Sequence, residues 1–189
     1  MSLKLDDIVL IGRTFDEYCL MFNLYPEKLK GKYVIDIGGG VSSFCAEANR
    51  KGIHVYSADP VYRLSAKEIK ERCDYDLNEV LNQMHALKKL YKWTYFRNIK
   101  QLKISRENAL DIFMKDYIRY PERYVYSEFP YSNFRNKQFD ISLISHFLFL
   151  YENKMDYDAH RRIIRESLKT CKEECRIFPL VNLSGRKSG

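Results

Sequence analysis

One stretch, residues 32–59, constrains the fold more than any other part of the sequence. Tyr33-Val34-Ile35 runs through Asp36-Ile37 into three consecutive glycines, Gly38-Gly39-Gly40. Val41, Phe44, Cys45 and Ala48 then recur at helical spacing up to Gly52, a residue type that stops helices, and 53–58 is a second apolar run. The spacing predicts a strand over 32–37, a helix over 42–51 and a strand over 53–58. Two strands joined through a helix pair in parallel, with a right-handed crossover in almost every case, so these two are expected side by side at the start of a doubly wound sheet.

The rest of the chain continues the alternation. Phe15, Tyr18, Cys19 and Phe22 follow Thr14, a suitable N-cap, and precede Pro26, which predicts an opening helix. Leu77, Val80, Leu81, Met84, Leu87 and Tyr91 keep an amphipathic period, and 108–120 reads as another helix before Pro121. Strands are expected over 123–126 and 139–147, the latter continuously apolar as a strand covered on both faces is. Glu128-Phe129-Pro130-Tyr131 reads as a turn between them. A helix follows over 156–170, with Ile164, Leu168 and Cys171 on one face, and a fifth strand over 175–180. No repeat or linker interrupts the chain. The expectation is a single domain over 1–189, with an N-terminal helical cap over 1–30 and a core over 31–189 that carries a helical insertion at about 63–120. The fold class is α/β with a doubly wound, mainly parallel sheet. Residues 181–189 have loop composition, so the C-terminal strands of such a sheet are expected to be missing or truncated, which leaves the flank of the last strand open.

Composition excludes several classes. The longest apolar run, 141–151, contains His146 and falls well short of the roughly 20 apolar residues that span a bilayer. Asp6 and Asp7 stand where a signal peptide carries basic residues. The five cysteines form an odd set with no CxxC, and Cys171 and Cys175 have no further ligands at metal spacing, so no metal is expected. Together these indicate a cytoplasmic protein with no membrane partner. The 32 Lys and Arg outnumber the 25 Asp and Glu, for a net charge of +7, a surplus that favours anionic partners such as RNA. A basic, nearly acid-free stretch, Arg97-Asn98-Ile99-Lys100-Gln101-Leu102-Lys103, also reads as an ordinary solvated face.

The glycine turn carries the chemistry. Glycines between a strand and a helix let a ligand approach the backbone, and the helix N-terminus beyond them presents free N–H groups. Asp59, about 20 residues on at the end of the second strand, has the position from which a carboxylate accepts both hydroxyls of a ribose. The two features describe an adenosine-containing ligand. A dinucleotide fingerprint would place a third glycine where Ser43 stands, and Tyr151 and Lys154 have the wrong spacing for a Tyr-x-x-x-Lys pair, so an NAD-dependent oxidoreductase is a weaker alternative. Asp36, Gly38 and Gly40 form D-x-G-x-G, which resembles motif I of the class I S-adenosylmethionine-dependent methyltransferases.

Further blocks extend the resemblance over residues 13–180: Arg13-Thr14-Phe15 with Glu17-Tyr18, Ser42-Ser43-Phe44, Asp59-Pro60 with Tyr62, Phe139-Asp140, Ser145 to Tyr151, and Arg176 to Leu180. They are similar to a group of largely uncharacterised bacterial methyltransferase-like proteins. The resemblance implies a Rossmann-like methyltransferase sheet and S-adenosylmethionine as cofactor. Asp36 would sit near the cofactor's ammonium or orient the loop, Gly38, Gly39 and Gly40 would follow its methionine portion, Asp59 would hold the ribose, and Pro60 and Val61 would wall the adenine. The sequence departs from the class in lacking its last strands. It also lacks the Asp that many members carry after the third strand, leaving Ser127 or Glu128 as substitutes.

Methyl transfer from a sulfonium relies on the cofactor for reactivity and on the protein for alignment, so the remaining site residues are sought by position. His146, late in the fourth strand, is the candidate catalytic residue, since its imidazole titrates near neutral pH when unperturbed. A histidine packed in an apolar strand is the competing interpretation. Tyr151 reads as packing more than catalysis. Arg13 can pair with the cofactor's carboxylate if the first helix closes over the pocket. The expected function is methyl transfer to an acceptor that is a small molecule or, given the charge, RNA. The alternative from another class is a non-catalytic nucleotide- or RNA-binding protein on the same fold.

Overall fold

The computed structural model describes residues 8–87, 92–151, 154–183 and 185–187. The acidic start 1–7, Tyr91 in the central helical pattern, and Ser184, Ser188 and Gly189 of the terminal loop lie outside them. Five strands form one sheet: β1 (Tyr33–Ile37), β2 (His54–Ala58), β3 (Tyr124–Val125), β4 (Phe139–Ser145) and β5 (Cys171–Phe178). Their order is β3-β2-β1-β4-β5, and every neighbouring pair is parallel. The protein is therefore an α/β domain with a parallel sheet flanked by helices. The expected neighbours pair from Tyr33 opposite His54 to Ile37 opposite Ala58. Strand order reverses at β1, which has β2 on one side and β4 on the other. In open parallel sheets that reversal opens a crevice at the carboxyl ends of the strands.

Among the described residues six α-helices accompany the sheet: α1 (Phe15–Met21), α2 (Pro26–Leu29), α3 (Phe44–Arg50), α4 (Ala66–Leu87), α5 (Ile99–Arg119) and α6 (Tyr157–Thr170). α1 starts at a capping box, in which the Thr14 side chain accepts from the Glu17 N–H and the Glu17 carboxylate accepts from the Thr14 N–H. Val34, Val55, Ile141 and Leu143 face Phe15, Tyr18, Phe44 and Phe113 of α1, α3 and α5. Ile35, Ile37, Phe139 and Ile144 face Ile163 of α6 on the other side. A third cluster, Leu77, Leu81, Met84 and Leu102, joins α4 to α5 apart from the sheet.

Three boundaries differ from the sequence expectations. α5 starts nine residues before 108, at Ile99 behind an Asn98 cap, because Arg106 occupies an inward position where the apolar period called for a hydrophobic residue. Cys171 is the first residue of β5 instead of the last on α6, so Cys171 and Cys175 both lie on a strand. The fourth strand ends at Ser145, which places His146 just beyond it. No helix among the described residues is long and apolar enough to cross a membrane.

Candidate functional site

The site is built outward from the glycine turn after β1. Gly38 and Gly40 have φ of +72° and +51°, a region that side chains disfavour. A methyl group on Gly39 would collide with Ser57 Oγ and Asp36 Oδ2. The last residue of β2 and the groups just after it hold the turn in place. The Gly38 N–H donates to the Ala58 carbonyl at 2.8 Å, the Gly40 N–H donates to Asp59 Oδ2 at 3.0 Å, and Tyr62 Oη donates to the Gly40 carbonyl at 2.7 Å. Asp59 Oδ1 accepts from the Val61 N–H at 2.9 Å. Burial raises the Asp59 carboxyl above its ordinary value, opposed by those two backbone donors. Each oxygen keeps a second acceptor position.

A cavity of about 930 Å³ lies over this turn. Gly38, Gly39, Gly40, Asp59, Pro60, Val61, Arg13 and His146 all line it, so one space gathers every predicted site residue except Asp36. The Phe147 ring and Leu10 cover part of the turn, over Gly38 and Gly40 respectively. After β3, Ser127 also lines the cavity; its hydroxyl is buried with no hydrogen-bond partner among the described residues.

Asp36 does not line the cavity, so of its two expected roles, contact with the cofactor's ammonium or orientation of the loop, its position fits the second. It is fully buried beneath the turn, where Tyr18 Oη donates to it from 3.1 Å to both Oδ1 and Oδ2. Burial, joined by the charge of Asp59 and opposed by the Tyr18 hydroxyl, pushes its carboxyl up to about 7. Its role in the structure is to hold the loop. Tyr18, read from the sequence as an apolar face, is thus a polar partner as well. The signal for that was available: a carboxylate inside an otherwise apolar strand needs a donor.

His146 departs from its expected chemistry. Its φ is +58°, a conformation that costs a non-glycine residue about 1–3 kcal/mol, and its N–H donates to the Phe178 carbonyl at 2.7 Å. Nδ1 lies 2.9 Å from Ser145 Oγ, so Nε2 is the ring nitrogen turned away from that partner. Burial, then the positive charges of Arg13 and Arg106, lower the imidazole to about 2. The expectation that it titrates near neutral pH fails, and His146 is a neutral ring.

Those two arginines differ in their partners. Arg106 forks onto Glu17 at 2.5 and 2.7 Å, with both side chains buried. Burial works against the Glu17 charge, but the Arg106 fork outweighs it and the carboxyl lies below its ordinary value. Arg13 donates to the Ile11 carbonyl at 2.7 Å; burial and Arg106 lower it to about 10, so it stays charged. One carboxylate serves two guanidiniums, and a positive charge is left over on the cavity wall beside His146.

Residues 8–14 cross the cavity as a strap. The Leu10 N–H donates to Asp76 Oδ2 at 2.7 Å, Arg72 donates to the Ile8 carbonyl at 2.9 Å, and the Val9 N–H donates to Tyr151 Oη at 3.3 Å. Tyr151 is buried and acts as packing and anchor. Gly12 is required because a methyl group there would collide with the Val41 carbonyl. Nothing in the sequence singles out Gly12, Arg106 or Asp76, since each acts on a segment far from it in the chain.

Fold and cavity together define an α/β protein with a ligand-sized chamber at the reversal point of a parallel sheet. The sequence is 42% identical over 187 residues, 98% of this chain and 84% of the relative's, to an archaeal protein of Methanocaldococcus jannaschii named Uncharacterized protein MJ0045, and the chain belongs to that protein's family. No family model matches the sequence. No solved structure matches it either.

Proposed function

We propose that the protein is a methyltransferase of the class I, Rossmann-like type that uses S-adenosylmethionine. The observation that carries this reading is the joint between Asp59 and Gly40: a ribose-type carboxylate hydrogen-bonded to a triple-glycine turn on the wall of one large cavity. The orphaned Ser127 hydroxyl fits the same ligand, because it lies after β3, where an adenine amino or ring nitrogen would supply its missing partner. Arg13 supplies the surplus cation that the methionine carboxylate requires. The sheet order adds support.

When bound, the cofactor contributes a methyl group on a positively charged sulfur, ready for in-line displacement. The chain's own residues bind and align. Asp59 takes the ribose hydroxyls, Pro60 and Val61 flank the base, and the glycines let the backbone run close to the ligand. Neutral His146, its ring held through Nδ1 by Ser145, presents Nε2 to the acceptor.

Isothermal calorimetry with S-adenosylhomocysteine tests the reading. The ligand is expected to bind the wild-type chain, and Asp59→Asn to weaken it about 10- to 100-fold, the cost of charge-assisted hydrogen bonds. NAD is expected not to bind. Tighter binding of NAD, or an affinity for S-adenosylhomocysteine that Asp59→Asn leaves unchanged, overturns the assignment.

A further inference from the structure

The cavity has a second half that the cofactor reading does not use. Away from the glycine turn its wall includes an apolar stretch of Leu77, Val80, Leu81 and Met84 from α4, Trp93, and Leu102 from α5, with Arg72, Lys92 and Arg106 as the cations of the same segments. The apolar residues belong to the cluster that stands apart from the sheet core. They pack on one another and also line the cavity, whose total volume would hold about 30 waters. Water is a poor occupant of such a place, because an ordered water needs two to four polar partners and these side chains carry one donor, the Trp93 indole N–H.

We propose that this half is the acceptor site, and that it takes a small molecule with an uncharged apolar or aromatic body bearing one nucleophilic oxygen, nitrogen or sulfur. The inference rests on the methyltransferase reading and gives it a substrate class. The apolar body covers the α4 and α5 wall, and the nucleophile faces the Gly38–Gly40 and His146 side. In the transfer, a lone pair of the acceptor forms the bond to the methyl carbon as the carbon–sulfur bond breaks. Its electron pair stays on sulfur, which becomes a neutral thioether, and the acceptor's proton leaves through His146 Nε2 to water. RNA fits this wall poorly. A polyanion gains its affinity from phosphate contacts, yet of the basic stretch 97–103 only Leu102 lines the cavity, while Lys100 and Lys103 are exposed and Lys103 pairs with Glu107.

The chain's single tryptophan, Trp93, supplies the readout. With S-adenosylhomocysteine present, 2-naphthol, an uncharged aromatic alcohol, is expected to quench Trp93 fluorescence saturably. Val80→Glu, which sets a charge among apolar neighbours, is expected to weaken that binding about tenfold or more while S-adenosylhomocysteine affinity stays within about threefold. Val80→Phe, which keeps the wall apolar but shrinks the space, should also weaken naphthol. In a parallel incubation with methyl-labelled S-adenosylmethionine, a panel of phenols and thiols, and total RNA, label is expected in the organic-extractable small molecules. Naphthol quenching that does not saturate, or that both variants leave unchanged, overturns the proposal, as does label recovered in RNA. If S-adenosylhomocysteine fails to bind while naphthol binds and responds to the variants, the methyltransferase reading falls and the apolar site stands. The reverse result removes the acceptor site alone.

Discussion

The floor and the roof of the cavity are made by different means. On the floor, the ties that shape the glycine turn join residues close in sequence: Gly40 to Asp59 across 19 positions, Gly40 to Tyr62 across 22, and Tyr18 to Asp36 across 18. On the roof, the ties span the chain: Leu10 to Asp76 across 66 positions, Glu17 to Arg106 across 89, and Val9 to Tyr151 across 142. The floor is a local device of strand, turn and strand. The roof is a set of side-chain clasps between the N-terminal strap, the helical insertion and the loop after β4. A ligand site made this way has a rigid half fixed by backbone geometry and a half that depends on a few distant pairs.

The sharpest way to break that contrast is Arg106→Leu. It leaves the Glu17 carboxylate buried without its fork, and removing one partner of a buried pair costs about 3–5 kcal/mol. Urea denaturation of the variant should show a loss of that size, and the Glu17→Leu/Arg106→Leu double variant should recover much of it. A loss under about 1 kcal/mol in Arg106→Leu would mean that the clasp does not hold the roof.

On the floor the corresponding probe is pH. The Asp36 carboxyl is pushed from 3.8 to about 7, so between those values the folded chain binds the extra proton. Its contribution to stability is therefore complete below about pH 4 and is lost as the pH rises through about 7. Asp36→Asn imitates the protonated acid and has nothing to lose. Relative to wild type the variant should be about equally stable near pH 4 and progressively more stable toward pH 8, by at most about 4 kcal/mol. A difference that does not vary with pH would mean that Asp36 is ionised beneath the turn at no cost, and that the floor is less tightly closed than its burial indicates.

The same division explains what the sequence made legible. Strand, glycines, helix, strand and Asp59 form one contiguous signal, and the structure reproduces it within a residue or two at each boundary. α1 with its Thr14 cap was readable for the same reason. The start of α5 was not, because Arg106 stands on its inward face and its neutralising partner Glu17 lies in another helix. The strap was invisible as a roof, since Leu10, Gly12 and Asp76 acquire their roles only when the chain brings them together. His146 was correctly placed near the cavity but wrongly endowed, because the burial that suppresses its proton, and the two arginines that add to it, come from segments elsewhere in the chain.

The smallest effect gives the most direct comparison of floor and roof. Asp76→Asn keeps the shape of the residue that holds the Leu10 N–H at 2.7 Å and removes its charge. Asp76 also lies 3.7 Å from Arg72, a partly exposed pair of the kind worth no more than about 1 kcal/mol. The global loss should therefore be about 1 kcal/mol, close to the limit of denaturation measurements. Amide hydrogen exchange resolves it by position. The Leu10 amide should exchange about 5- to 10-fold faster in Asp76→Asn, since a charge-assisted hydrogen bond has become a neutral one. The Gly40 amide, held by Asp59 and independent of the strap's anchor, should keep its wild-type protection. Equal acceleration at both amides would show that strap and glycine turn open as one unit, and the division between a locally built floor and a distantly clasped roof would have to be abandoned.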